Sequence, residues 1–91
     1  MDNQHRKISG YRDLKQEEID LMNEIKAFGP QLDELVGKVR AYLEEANRYL
    51  PDEVRGPFDA AEPLRWVAIG KTDLQTGLMA LTRSIAQPTF F

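Results

Sequence analysis

The sequence predicts an all-α fold: an antiparallel two-helix hairpin with a short N-terminal arm, assembled into a homo-oligomer. Two segments carry apolar residues at helical spacing, and a stretch rich in proline and charge separates them. A chain of 91 residues has room for only one domain. Because a lone hairpin cannot bury both faces of either helix, the pattern also predicts that copies of the chain associate.

The first predicted helix covers residues 16–50. Its apolar residues form two series with a spacing of seven: Ile25, Leu32, Val39 and Ala46, and Phe28, Leu35, Tyr42 and Tyr49. Gly29 and Pro30 interrupt this segment, and a proline inside a helix removes one backbone hydrogen bond. The register nevertheless passes from Ile25 to Leu32 without a shift. We therefore expect one helix kinked near Gly29-Pro30, with two separate helices as the alternative.

The second predicted helix covers residues 61–87 and follows a turn at residues 51–60. Two prolines, a glycine and alternating charges are typical of a turn. The helix can begin with Asp59 as N-cap, or with Glu62 as N-cap and Pro63 in the first turn. Gln87-Pro88 should end it. An arm at residues 1–15 and a tail at residues 88–91 complete the chain.

The composition excludes most catalytic and metal-binding chemistry. The chain has no cysteine, which excludes thiolate zinc sites and cysteine nucleophiles. Its single histidine, His5, lies near the start of the chain, which makes a metal cluster or a histidine-based triad implausible. We therefore expect no enzyme activity, no metal and no cofactor. The longest apolar runs are far shorter than the roughly 20 residues of a membrane span, so we expect a cytoplasmic protein.

The charge is distributed unevenly along the chain. Residues 13–62 carry six basic and thirteen acidic side chains, a net charge of −7, whereas residues 1–12 and 63–91 each carry +2. An acidic middle segment argues against binding to a long nucleic acid, which relies on many lysine and arginine contacts. A small anionic ligand held by a few cations remains compatible with this pattern.

Four residues are considered as candidates for ligand binding. Lys71 interrupts the apolar series of the second helix, where its ammonium needs an anion or a path to solvent, and Thr72 adds a hydroxyl beside it. Tyr11 lies among basic residues, a combination that suits a nucleobase and its phosphate. Each also has a structural interpretation: Lys71 can pair with an acidic residue, and Tyr11 can pack on a helix. Lys26 has acidic neighbours in its helix and can serve as a solvated ion-pair partner.

Several blocks of the sequence resemble the small phage anti-CBASS proteins. They are residues 10–14 (GYRDL), 16–26 (QEEIDLMNEIK), 65–66 (RW), 71–83 (KTDLQTGLMALTR) and 86–88 (AQP). A related hairpin occurs in some phage anti-Thoeris sponges. The resemblance covers most of the chain apart from residues 30–60.

This resemblance implies a helical hairpin that assembles into a hexamer and sequesters cyclic dinucleotides in the cytoplasm of the infected bacterium. The messengers stay intact and the CBASS effectors stay inactive. It implies that Tyr11 stacks on a base and Lys26 contacts a phosphate. It also implies separate sites for cyclic trinucleotides, to which we assign Lys71 and Thr72.

Three other hypotheses remain open from the sequence. The hairpin can be a structural or adaptor oligomer that binds a protein partner, a module that binds nucleic acid, or a hydrolase that cleaves the messenger. The acidic middle segment disfavours the second, and the lack of an evident general base disfavours the third.

Overall fold

The computed structural model describes residues 13–89, which form three helices and contain no strand. They are α1 (Gln16–Arg48), α2 (Asp52–Ala61) and α3 (Pro63–Ala86). Helices α1 and α3 pack against each other as the two arms of an antiparallel hairpin, and the molecule measures 63 × 23 × 15 Å. The predicted all-α hairpin is confirmed, whereas its assembly into an oligomer stays a prediction.

Helix α1 is continuous through Pro30, as the unshifted heptad register predicted. It begins at Gln16, where the backbone N–H of Lys15 donates to Glu18 Oε1 at 2.9 Å. It ends at Arg48, two residues before the predicted end. The kink expected near Gly29-Pro30 stays a prediction.

The turn predicted at residues 51–60 is wrong, because most of this segment forms α2. Pro51 supplies the extended residue before the helix, and Asp52 and Glu53 place negative charge at the positive end of its dipole. Pro57 lies inside the helix and removes one hydrogen bond, but Arg55 ties the helix to α1 by two hydrogen bonds to Asn47. These contacts favour a helix in a segment whose prolines and glycine by themselves favour a turn.

Helix α3 begins after Glu62, which adopts a left-handed conformation (φ 49°), and carries Pro63 in its first turn. The second of the two predicted starts is therefore the observed one. The helix ends at Ala86, because Gln87 is again left-handed (φ 52°) and its N–H donates to the carbonyl of Arg83 at 2.8 Å. The observed helix is one residue shorter than predicted at its C-terminal end and two at its start. Residues 1–12 of the predicted arm, with Tyr11, and Phe90-Phe91 of the predicted tail lie outside the described residues.

The hairpin leaves most of its apolar surface open. Within residues 13–89 only Ala86 is buried. The series Phe28, Leu35, Tyr42 and Tyr49 is exposed along α1, while Ile25, Leu32 and Ala46 are half-buried. Val39, in the same series as Ile25, is also exposed, at 43%. The hairpin therefore shields part of one series and leaves the neighbouring series open. No helix in this part of the chain has the length and apolar character needed to cross a membrane.

Candidate functional site

An open groove lies between the N-terminal half of α1 and the C-terminal half of α3. Its volume is about 600 Å³, within the range of ordinary ligand sites. It is lined by Met22, Asn23, Ile25, Lys26, Leu78, Met79, Thr82, Arg83, Ala86 and Pro88. We call this cavity the main groove.

Among residues 13–89, two cations and no carboxylate line the main groove. Lys26 lies on the α1 side and Arg83 on the α3 side. None of the ion pairs that join described residues involves Lys26. Lys26 belongs to the acidic segment 13–62, with a net charge of −7, and Arg83 to the segment 63–91, with a net charge of +2. One cation from each arm of the hairpin favours an anionic ligand in the groove.

The remaining lining residues are apolar or neutral polar. Met22, Ile25, Leu78 and Met79 provide apolar surface, and Asn23 adds an amide with both donors and an acceptor. Thr82 Oγ1 donates to the carbonyl of Leu78 at 3.0 Å, so its hydroxyl hydrogen is used and its oxygen can accept from a ligand. Apolar walls with a few polar groups and two cations suit a ligand that combines flat rings with phosphates.

Lys71 lies in a second, smaller groove, which has a volume of about 180 Å³. Its other lining residues are Gly29, Leu32, Asp33, Val36, Leu74, Gln75 and Leu78. Lys71 is half-buried, which is compatible with a packed side-chain stem whose ammonium reaches solvent. No ion pair between described residues involves it, although Asp33 lines the same groove.

Thr72 is exposed and does not line the groove of Lys71. Successive residues of an α-helix point about 100° apart, so adjacent positions face different surroundings. Within one hairpin, Thr72 therefore does not share the groove of Lys71. Neither residue is among those that line the main groove with Lys26. Tyr11 lies outside the described residues.

The comparisons with known proteins agree on one family. The pattern of the Acb2/Tad1 hairpin domain matches residues 6–86. A relative, Anti-CBASS protein 2 of Pseudomonas phage JBD67, is 50% identical, and the alignment covers 97% of each chain. The chain belongs to the Acb2/Tad1 hairpin family. The family resemblance predicted from the sequence is thus confirmed.

Sequence reasoning missed part of what this Acb2/Tad1 hairpin places around Lys26. Met22 and Met79 were not singled out from the sequence as candidates for ligand binding, yet both line the main groove and Met79 is 70% exposed. Arg83 had no individual role in the prediction. The signal that could have found them is a spacing of three and four residues, which places four residues on one side of α3, next to its apolar series: Met79, Thr82, Arg83 and Ala86.

Proposed function

We propose that this protein is a phage anti-defence protein that binds cyclic di- and trinucleotide messengers and holds them without cleavage. Sequestration in the cytoplasm of the infected cell would keep CBASS effectors inactive. The main groove carries this proposal, because its described lining residues combine apolar surface with the two cations Lys26 and Arg83. The name of the Pseudomonas phage relative supports the anti-CBASS role.

In this proposal Lys26 binds a phosphate and Tyr11 stacks on a base in the main groove. Four residues lie between Tyr11 and Gln16, and these five residue-to-residue steps span at most about 18 Å in an extended chain. Met22, at the near end of the groove, lies about 9 Å along the helix axis from Gln16. The covalent connection therefore allows Tyr11 to reach a ligand bound there.

A homo-oligomer, which we propose to be a hexamer, would complete these sites. The exposed apolar series of α1 supports association, since Tyr42 is 73% and Leu35 54% exposed. A surface of this kind is typical of an interface between subunits. Binding between copies also suits a ligand with approximate twofold symmetry.

We assign Lys71 and Thr72 to a separate trinucleotide site that forms between copies of the chain. Asp33 lines the groove of Lys71 and offsets its charge, so a single hairpin offers weak attraction to an anion there. Several Lys71 side chains brought together by symmetry would supply the charge that one copy lacks. Lys71→Ala should abolish binding of a cyclic trinucleotide in calorimetry and leave dinucleotide binding unchanged; an unchanged trinucleotide affinity would refute the assignment.

Calorimetry with cyclic dinucleotides tests the main site. Lys26→Ala should weaken binding at least tenfold, because a charge-assisted hydrogen bond to phosphate is lost. Tyr11→Ala should lose stacking of roughly 1–3 kcal/mol per base. Lys38→Ala is the matched control: Lys38 lies on the same helix, but it pairs with Glu34 at 3.5 Å and is exposed outside the groove. If both site variants bind like the control, the site is wrong.

The absence of cleavage needs its own measurement. Incubation of the protein with a cyclic dinucleotide, followed by denaturation, should return the intact ligand. Recovery of a linear dinucleotide or of mononucleotides would show that the protein hydrolyses the messenger and would refute sequestration.

The alternative function is a structural or adaptor oligomer that binds a protein partner. The exposed aromatic side chains Tyr42, Tyr49 and Trp66 favour this reading, because aromatic residues are enriched at protein interfaces. A thermal-shift panel separates the two functions, since only a ligand that binds the folded state raises its stability. An unchanged unfolding temperature with every cyclic di- and trinucleotide would favour the adaptor.

A further inference from the structure

Arg83 is the second cation of the main groove. Lys26 lines the groove from α1 and Arg83 lines it from α3, so the two positive groups belong to different walls. A cyclic dinucleotide carries two phosphodiesters, one on each side of its ring. A site with one cation on each wall matches that distribution of charge, whereas Lys26 alone leaves one phosphate without a countercharge.

The chemistry of Arg83 suits a phosphate better than a second lysine would. A guanidinium is planar and presents paired N–H donors to two phosphate oxygens at once. Lys26 presents a single ammonium, which acts as a point charge. The two walls therefore differ in how strictly they fix the orientation of a phosphate.

The position of Arg83 near the end of α3 gives it a second electrostatic effect. It is the basic residue in the last turn of α3, where the carbonyl groups carry partial negative charge. These carbonyls repel a phosphate, and a cation at this place offsets the repulsion. The N–H of Gln87 donates to the carbonyl of Arg83 at 2.8 Å, which holds the backbone in this last turn.

We propose that Arg83 binds the second phosphate of a cyclic dinucleotide whose first phosphate is bound by Lys26. This inference rests on the proposed function of the main groove. It adds a residue that sets the orientation of the ligand and helps to select two-phosphate rings over mononucleotides.

The test is calorimetry of the full-length protein with 3′,3′-cyclic di-AMP and 3′,3′-cyclic GMP–AMP. Arg83→Gln should weaken binding at least tenfold, the effect of losing a charged hydrogen-bond donor to phosphate. Arg83→Lys keeps the positive charge in the last turn of α3 but lacks the paired donors, and should recover only part of the affinity. The wild-type affinity should also fall more steeply with salt than that of Arg83→Gln, because one more charge contact is screened.

The controls separate binding from folding and from the proposed function. Lys38→Gln should bind like the wild type, and circular dichroism and light scattering should show the same helix content and mass for all variants. If Arg83→Gln binds both messengers like the wild type, the role of Arg83 is refuted while the groove stands. Equal affinity of Arg83→Lys and the wild type would refute the paired-donor contact. A wild-type protein that binds neither messenger overturns both this inference and the function on which it rests.

Discussion

Arg55→Ala tests what holds α2 against the end of α1. Arg55 Nη1 donates to Asn47 Oδ1 at 2.6 Å, and Nη2 donates to the backbone carbonyl of Asn47 at 2.9 Å. Arg55 also lies 3.8 Å from Asp59 Oδ1 within α2. The alanine variant removes all three contacts and leaves α2 with a proline in its interior.

The expected loss of stability is about 1–2 kcal/mol. Hydrogen bonds to a charged group contribute roughly 1.5–3 kcal/mol when they are protected from water. The Arg55 side chain is 39% exposed, so water replaces part of what is lost. The exposed pair with Asp59 adds only about 0.3–0.5 kcal/mol.

Urea unfolding followed by circular dichroism measures this loss, at a fixed protein concentration because association shifts apparent stability. Arg48→Ala is the control, since Arg48 makes only an exposed contact with Glu45 at 3.4 Å and its loss should change stability by less than about 0.5 kcal/mol. In an Asn47→Ala background, Arg55→Ala should still cost about half as much, because the backbone carbonyl remains an acceptor. Equal stability of the Arg55→Ala and Arg48→Ala proteins would refute the reasoning.

Two further predictions concern the backbone. Pro30→Ala supplies an N–H that can donate to the carbonyl of Lys26 and should stabilise α1 by up to about 3 kcal/mol, seen as a higher unfolding temperature; a lower temperature would mean that a bend at Pro30 is needed for packing. Gln87→Gly relieves a left-handed conformation (φ 52°) and should add about 0.5–1 kcal/mol in urea unfolding, while a loss of stability would show that the Gln87 side chain makes a contact of greater value.

The sequence predicted the long helices well because their signals are local and repeated. The heptad register through Ile25 and Leu32 showed that α1 continues past Pro30, and Gln87-Pro88 marked the end of α3. Helix α2 could not be predicted in this way. It depends on the contact of Arg55 with Asn47, eight residues earlier, which composition and turn propensity do not encode.

The candidate site was predicted in part for the same reason. Resemblance to a family singled out Lys26, and the structure shows it beside apolar residues from both arms of the hairpin. Arg83 was missed because its relation to Lys26 arises only when α1 and α3 pack in antiparallel order. The sequence left open whether Lys71 meets an anion or solvent, because a heptad pattern specifies a face of a helix but not how closely the partner helix covers it.

Leu78 lines both the main groove and the groove of Lys71. Its replacement by a larger or smaller side chain therefore changes the shape of two cavities at once. Met79 lines the first cavity and Leu74 the second, and neither lines both. Substitutions at such neighbours can therefore change one cavity without changing the other. Leu78 is a wall that the two cavities share, so a change there couples them.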